Sequence, residues 1–158
     1  MVEFDIQISA KDLYDYMLRH SYNSPAGLLG SCVGAFFVIY AVMSGKMISL
    51  VFGVVLLLYL PWTLFLRSRQ QALTNPVFKK PMHYVLDEEG YSVSQGDVCE
   101  KASWDQVVKV VSTGRSIIVY TSHVNASIFP RKQMGEKTNA AIEMISTHVD
   151  PKKVKIRY

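Results

Sequence analysis

The sequence predicts a membrane α + β protein: a two-helix transmembrane hairpin followed by an antiparallel β-sheet domain that a C-terminal helix caps. Three observations predict it. Residues 25–43 and 47–66 are apolar and contain no charged side chain, and only Ser44, Gly45 and Lys46 separate them. From His83 onward the apolar spacing changes to alternation, the period of a half-buried strand. Finally Met134, Thr138, Ala141, Ile142, Ile145 and Val149 recur at helical spacing before Asp150 and Pro151, which mark the end of that helix.

Each apolar stretch has about 20 residues, and at about 1.5 Å per residue that matches a hydrocarbon layer roughly 30 Å thick. The three-residue link makes the two helices antiparallel, so both flanks lie on one side. Lys11, Arg19, Arg67, Arg69, Lys79 and Lys80 stand outside the hairpin, against Lys46 alone in the link. Basic residues near membrane ends stay in the cytoplasm, so both termini are predicted to be cytoplasmic. A signal peptide is the competing reading of the first stretch, but Glu3, Asp5, Asp12 and Asp15 precede it and a second span follows at once, unlike a basic n-region. Composition agrees: 49% of the 158 residues are hydrophobic and 19% charged, apolar for a soluble domain.

The organisation that follows is a cytoplasmic strand and amphipathic helix over 1–24, the hairpin over 25–66, a connector over 67–81 and a sheet domain over 82–158. Residues 4–8 alternate as a short strand. Ser9 with Asp12 resembles a capping box, and Leu13, Tyr16, Met17 and His20 form one stripe of a helix suited to an interface. Ser24 caps and Pro25 starts the first span. Tyr59, Pro61 and Trp62 are expected to close the second, with aromatic rings at the headgroup layer. Pro76 and Pro81 break the polar connector.

In the last domain, residues 83–86 and 91–94 form a hairpin across Asp87, Glu88, Glu89 and Gly90, whose glycine suits a left-handed position. Further strands are predicted at 98–103, 107–112, 116–121 and 126–129. Turns at Gln95-Gly96-Asp97, Thr113-Gly114-Arg115 and His123-Val124-Asn125 separate them. The order describes a meander, a bent sheet under one helix.

The runs Tyr84-Val-Leu-Asp-Glu-Glu-Gly90, Ser103-Trp104-Asp-Gln-Val-Val108, Ile117-Ile-Val-Tyr120 and Ala126-Ser-Ile-Phe-Pro-Arg131 resemble the YcxB-like family of small bacterial membrane proteins. The resemblance rests on Gly90, Trp104 and the strand end at Phe129, Pro130 and Arg131, and it reaches the hairpin by architecture only. It implies a C-terminal domain similar to pleckstrin-homology-like folds and a bacterial plasma membrane, and it supplies no catalytic residue. Gly90, Trp104 and Pro130 are thus structural anchors. Lipid-binding relatives of that fold offer basic residues in the first hairpin loop, whereas here the loop is Asp87, Glu88 and Glu89. Three carboxylates repel phosphate, so the loop reads as a partner contact or a plain solvated turn.

No catalytic constellation is visible. His20, His83, His123 and His148 are dispersed, and Cys32 and Cys99 lie apart, so no metal, cofactor, disulfide or enzymatic activity is expected. The spans offer few polar groups, which argues against a lone transporter. Their small residues are better candidates: Gly27, Gly30 and Gly34 down the first span and Gly53 on the second suit close helix packing, within the chain or with a second copy. Arg67, Arg69, Lys152, Lys153, Lys155 and Arg157 are candidate contacts to anionic lipid. The tail 152–157 reads as a solvated terminus, a lipid-facing arm, or an edge strand against residues 4–8; nucleic acid is disfavoured because no aromatic platform accompanies the charge. The function expected is a non-enzymatic, membrane-anchored protein-interaction module on the bilayer, with no small-molecule substrate indicated. The alternatives are an accessory or regulatory subunit of a membrane complex, or a toxin or bacteriocin immunity protein.

Overall fold

The computed structural model describes residues 1–122 and 125–156. Its chain order is β1 (Val2–Ile6), α1 (Ala10–Tyr22), α2 (Pro25–Ser44), α3 (Met47–Thr74), β2 (Met82–Leu86), β3 (Gly90–Gln95), β4 (Val98–Ser103), β5 (Lys109–Ser112), β6 (Ser116–Tyr120), β7 (Ala126–Pro130), α4 (Arg131–Met134), α5 (Lys137–His148) and β8 (Val154–Lys155). Two apolar helices are followed by an antiparallel sheet domain and a C-terminal helix. The strands form two four-stranded sheets, β1-β2-β3-β4 and β7-β6-β5-β8. The expected single meander is broken between β4 and β5, which do not pair; β2-β3-β4 and β5-β6-β7 are separate runs, β1 joins the first from before the hairpin, and β8 joins β5 in parallel.

The helical hairpin is therefore an insertion. β1 pairs with β2 from Val2↔Leu86 to Ile6↔Met82, although residues 7–81 lie between them. The segment 1–24 and the sheet domain form one folded body. Its core joins Phe4 and Ile6 of β1 to Tyr84 and Leu86 of β2, Phe129 of β7, and Ile142 and Ile145 of α5, all buried. Phe129 is the hub, with ring centroids 5.0 Å from Tyr84, 5.5 Å from Phe4 and 6.0 Å from Tyr91.

Helix α1 starts as the sequence predicts. Ser9 and Asp12 cap each other reciprocally, and the Asp12 carboxylate accepts from the Ser9 amide at 3.0 Å. Leu13 enters the core while Tyr14 sets its ring edge-on to Phe65 of α3 at 5.8 Å. One short helix thus touches both the sheet body and the hairpin.

α2 and α3 are each long and apolar enough to cross a membrane, and only 17% and 11% of their most apolar windows are buried. They are not the core helices of the sheet body. Gly45 ends α2 at φ 68°, donating its amide to Ala41 O at 2.9 Å. α3 does not stop at Leu66 or at Pro61; it runs through both to Thr74. Loss of apolar character marks where a bilayer would end, but Arg67, Arg69, Gln70, Gln71, Ala72 and Leu73 are good helix formers, and the helix ends only before Pro76, which disfavours helical geometry at Asn75. A 3-10 turn at Pro76–Lys79 replaces the expected connector.

The glycines of the hairpin separate by role. A Cβ on Gly34 would meet Leu57 at 2.8 Å, and one on Gly53 would meet Gly34 O at 2.9 Å, so these two glycines are where α2 and α3 touch. Gly27 lies instead under Ser21 O at the α1–α2 bend, and Gly30 faces open space. Within the chain, Gly34 but not Gly30 meets the other helix. The chain's own two helices pack on each other here, with Phe37 edge-on to Phe52 at 5.0 Å.

In a chain with Cys32 and Cys99 replaced by Ser, cysteines placed at Phe37 and Phe52 should crosslink readily. Gly34→Ile should abolish that crosslink, whereas Gly30→Ile should leave it intact; equal effects of the two substitutions would refute the glycine contact.

Candidate functional site

Alternation sets the inner face of the first sheet. Register places Tyr91 opposite Ala102, Val93 opposite Glu100 and Gln95 opposite Val98, so these six side chains share one face. Tyr91 is buried, and along β4 only Ala102 is partly covered, the other five residues being exposed. The face is roofed at one end and open at the other.

The opening is a groove of about 790 Å³ between β4 and β7, the terminal strands of the two sheets. Leu13 and Tyr16 of α1 line one end, together with Gln71 of α3 and Val77 and Phe78 of the 3-10 turn that follows. Val93, Val98 and Ile128 supply apolar walls, and Gln95, Glu100 and Ser127 supply polar ones. The Tyr91 hydroxyl and Ser127 Oγ lie 3.0 Å apart and tie β3 to β7 across the groove.

Electrostatics single out Glu100. It makes no hydrogen bond or ion pair with any described residue. Burial pushes the Tyr84 hydroxyl up to about 12, with Tyr91 and Glu100 adding to the rise and Ser127 opposing it. Tyr91 is raised chiefly by burial, again with a contribution from Glu100. Register places the exposed Glu100 on the face that carries Tyr91 and Val93, where it lines the groove, and both phenols are neutral hydrogen-bonding groups near pH 7. A second cleft, about 650 Å³, lies between Asp15, Arg19, Thr113 and Arg131, but its carboxylate already accepts from the Thr113 hydroxyl.

The predicted anchors sit outside the groove and build its frame. Trp104 is 5% exposed, donates from Nε1 to Asp87 O at 3.0 Å, and stacks on His148 at 6.1 Å. It opens a 3-10 turn, Trp104–Gln106, which delays β5 to Lys109 rather than Val107. Gly90 is needed for a reason other than the one its sequence suggests. Its φ is not positive; a Cβ there would lie 2.1 Å from Ala102 O, so the close approach of β3 and β4 requires glycine. Asp87 closes the acidic loop, accepting from the amides of Glu89 and Gly90 at 2.9 Å each. Only Glu88 and Glu89 keep free carboxylates, on the exposed tip. Pro130 ends β7 opposite Ser116 and is buried.

The basic candidates are scattered. Arg67 and Arg69 are exposed on α3, with Arg69 over the Phe65 ring at 5.7 Å. Lys153 donates to Val107 O at 2.9 Å, so it fastens the tail instead of reaching away from it. Lys155 lies in β8 beside Val111, not beside residues 4–8. Lys152 is exposed, and Arg157, like the His123-Val124 turn, lies outside the described residues. Among the described residues no group of three metal-ligating side chains converges.

Comparison with known families fits this frame. Residues 86–146 match the family model of YcxB-like protein. The YcxB-like segment spans β3 to the last turns of α5 and contains Gly90, Trp104, Glu100 and Pro130, but neither β1 nor the apolar hairpin. No curated protein and no solved structure matches the chain.

Sequence reasoning missed the groove because it forms between edges contributed by residues 98–103 and 126–130, whose juxtaposition no local pattern encodes. The one available signal was Glu100 on the face that Tyr91 and Val93 make apolar.

Two stability outcomes are expected. Trp104→Ala should cost about 3–5 kcal/mol, as for other buried tryptophans, measured by denaturant unfolding, and Trp104→Phe should recover part of the packing but not the bond to Asp87. For Tyr84 the folded-state value is raised above the ordinary 10.0. Its contribution is then complete below pH 10 and is lost as pH climbs toward about 12. Thermal melting of Tyr84→Phe should decline less steeply over that interval than the parent; parallel curves would refute the assignment.

Proposed function

We propose that this protein is a non-enzymatic interaction module anchored in a bacterial plasma membrane, with both termini and the sheet body cytoplasmic and the β4–β7 groove as its partner-binding surface. The groove carries the reading. It joins apolar walls to a few polar groups, and it opens beside the end of α3. That combination is typical of recognition sites.

Anchoring is supported by two apolar helices whose surfaces the sheet body leaves uncovered. The cytoplasmic side is supported by the basic excess around the hairpin feet, against Lys46 alone at its tip. A binding role is favoured over catalysis by the groove's chemistry: its carboxylate Glu100 has no proton-sharing partner among the described residues, and burial raises the pKa of its phenols further above neutral pH, which keeps them protonated.

Orientation is tested by cysteine accessibility in intact cells. A cysteine at Gly45 should react with an impermeant reagent and one at Gly96 should not; the reverse pattern would overturn the topology. For the binding surface, a photo-crosslinking residue at Val98 should give a discrete adduct with a membrane protein that the groove-filling Ala102→Trp removes. The same probe at Val85, on the opposite face, should give none. Equal yields at both positions would refute the groove.

A further inference from the structure

β4 and β7 end their sheets on either side of the groove without pairing to each other. Each edge therefore presents a row of backbone N–H and C=O groups that no strand among the described residues meets. β4 offers six residues, and five of them are exposed. Its groove face reads Val98, Glu100, Ala102: apolar, anionic, small.

These features set three requirements for an occupant. It needs backbone donors and acceptors for an open edge, apolar side chains for the walls around Val93, Val98 and Ile128, and a cation for Glu100. A lipid acyl chain meets only the second. Phosphate-rich ligands are repelled by the carboxylate. An extended polypeptide with a basic residue meets all three, and because alternate side chains of a strand point one way, its basic residue and its apolar ones enter the groove together.

The position of the groove narrows the source. α3 continues eight residues past Leu66, roughly 12 Å of helix, and the groove begins at Gln71, Val77 and Phe78. Cytoplasmic segments that flank membrane spans are rich in Lys and Arg and lie at that level. We propose that the β4 edge accepts the basic juxtamembrane segment of another membrane protein as an added strand, with a Lys or Arg of that segment opposite Glu100. The proposal rests on the groove being the partner surface and names what the partner brings to it. Glu100 then has a second effect: an inward charge on an edge strand discourages pairing with purely apolar strands, so it selects as well as binds.

The test uses the full chain in discs of phosphatidylethanolamine and phosphatidylglycerol, with a phage-displayed library of random peptides as the probe. Selections run in parallel on the parent protein and on Glu100→Lys. The parent should enrich peptides with alternating apolar residues and Lys or Arg at one fixed position, and Glu100→Lys should enrich Asp or Glu there. Each set should bind the opposite protein about tenfold more weakly. Glu100→Gln, nearly isosteric, should lose the preference without inverting it. N-methylation of the peptide amides that face β4 should weaken binding about tenfold, and N-methylation of the alternate amides should not. Peptides that ignore both the Glu100 variants and N-methylation, yet are lost in Ala102→Trp, would overturn strand addition and leave the groove as a partner surface. Peptides that survive Ala102→Trp would overturn both. Failure to select any peptide, with fluorescent lysophosphatidylethanolamine bound to the parent and lost in Ala102→Trp, would make the occupant a lipid and overturn the proposal.

Discussion

The ladder between β1 and β2 is the constraint on which the rest of this structure depends. Five residue pairs join strands that are separated along the chain by residues 7–81, so the first six residues fold only with the domain that follows the hairpin. Closing so long a loop has an entropic cost, but one that grows only logarithmically with length. The compensation is apolar: Phe4 and Ile6 are buried against Tyr84, Leu86 and Phe129. Because neighbouring strands lie only about 4.8 Å apart, the entry and exit of the helical insertion are tied to adjacent points on one sheet. Helix α1 completes the fastening, with Leu13 in the core and Tyr14 against Phe65.

The same fastening explains why the groove exists. Three rings around Phe129, those of Phe4, Tyr84 and Tyr91, draw β1, β2, β3 and β7 together at one end of the two sheets. At the other end β4 packs on the core only through Ala102 among its described residues; its groove-facing residues are Val98, Glu100 and Ala102, too small or too polar to close the gap to β7. The Tyr91–Ser127 contact marks the boundary between the closed part and the open part. Openness is thus a consequence of side-chain volume and charge along one strand.

Local chemistry made much of the fold legible. The capping pair Ser9 and Asp12, the helix start at Ser24 and Pro25, the link at Gly45 and most strands follow from spacing and turn residues within a few positions. What was not legible depends on contacts between distant segments. Nothing near residues 2–6 announces Met82–Leu86 as their partner, and the tail pairs with β5 through Val154 and Lys155, although its charges suggest a free arm. Gly90 was recognised as a required glycine, but its cause, the carbonyl of Ala102 at a distance that excludes a Cβ, belongs to tertiary packing. Gly30 shows a different limit: its spacing suits helix contact, yet within the chain it faces open space, because the crossing point of α2 and α3 lies at Gly34 and Gly53. The candidate groove was invisible for the same physical reason as the β1–β2 ladder.

The packing of the hairpin bears on where a partner would engage. Two of its small residues are used within the chain, Gly34 against Leu57 and Gly53 against the backbone of Gly34 and Val38, while Gly30 stays exposed. In a bilayer, where helix association relies on close backbone approach more than on apolar burial, the surfaces left over are large branched and aromatic side chains such as Phe36, Ile39, Val51 and Leu58. Those surfaces suit lipid better than a second helix. At the sheet body, by contrast, an open strand edge, a carboxylate with no described partner and an apolar trough coincide within one groove. The helices fix how far from a membrane that groove would stand, and α1 prevents it from swinging free of them.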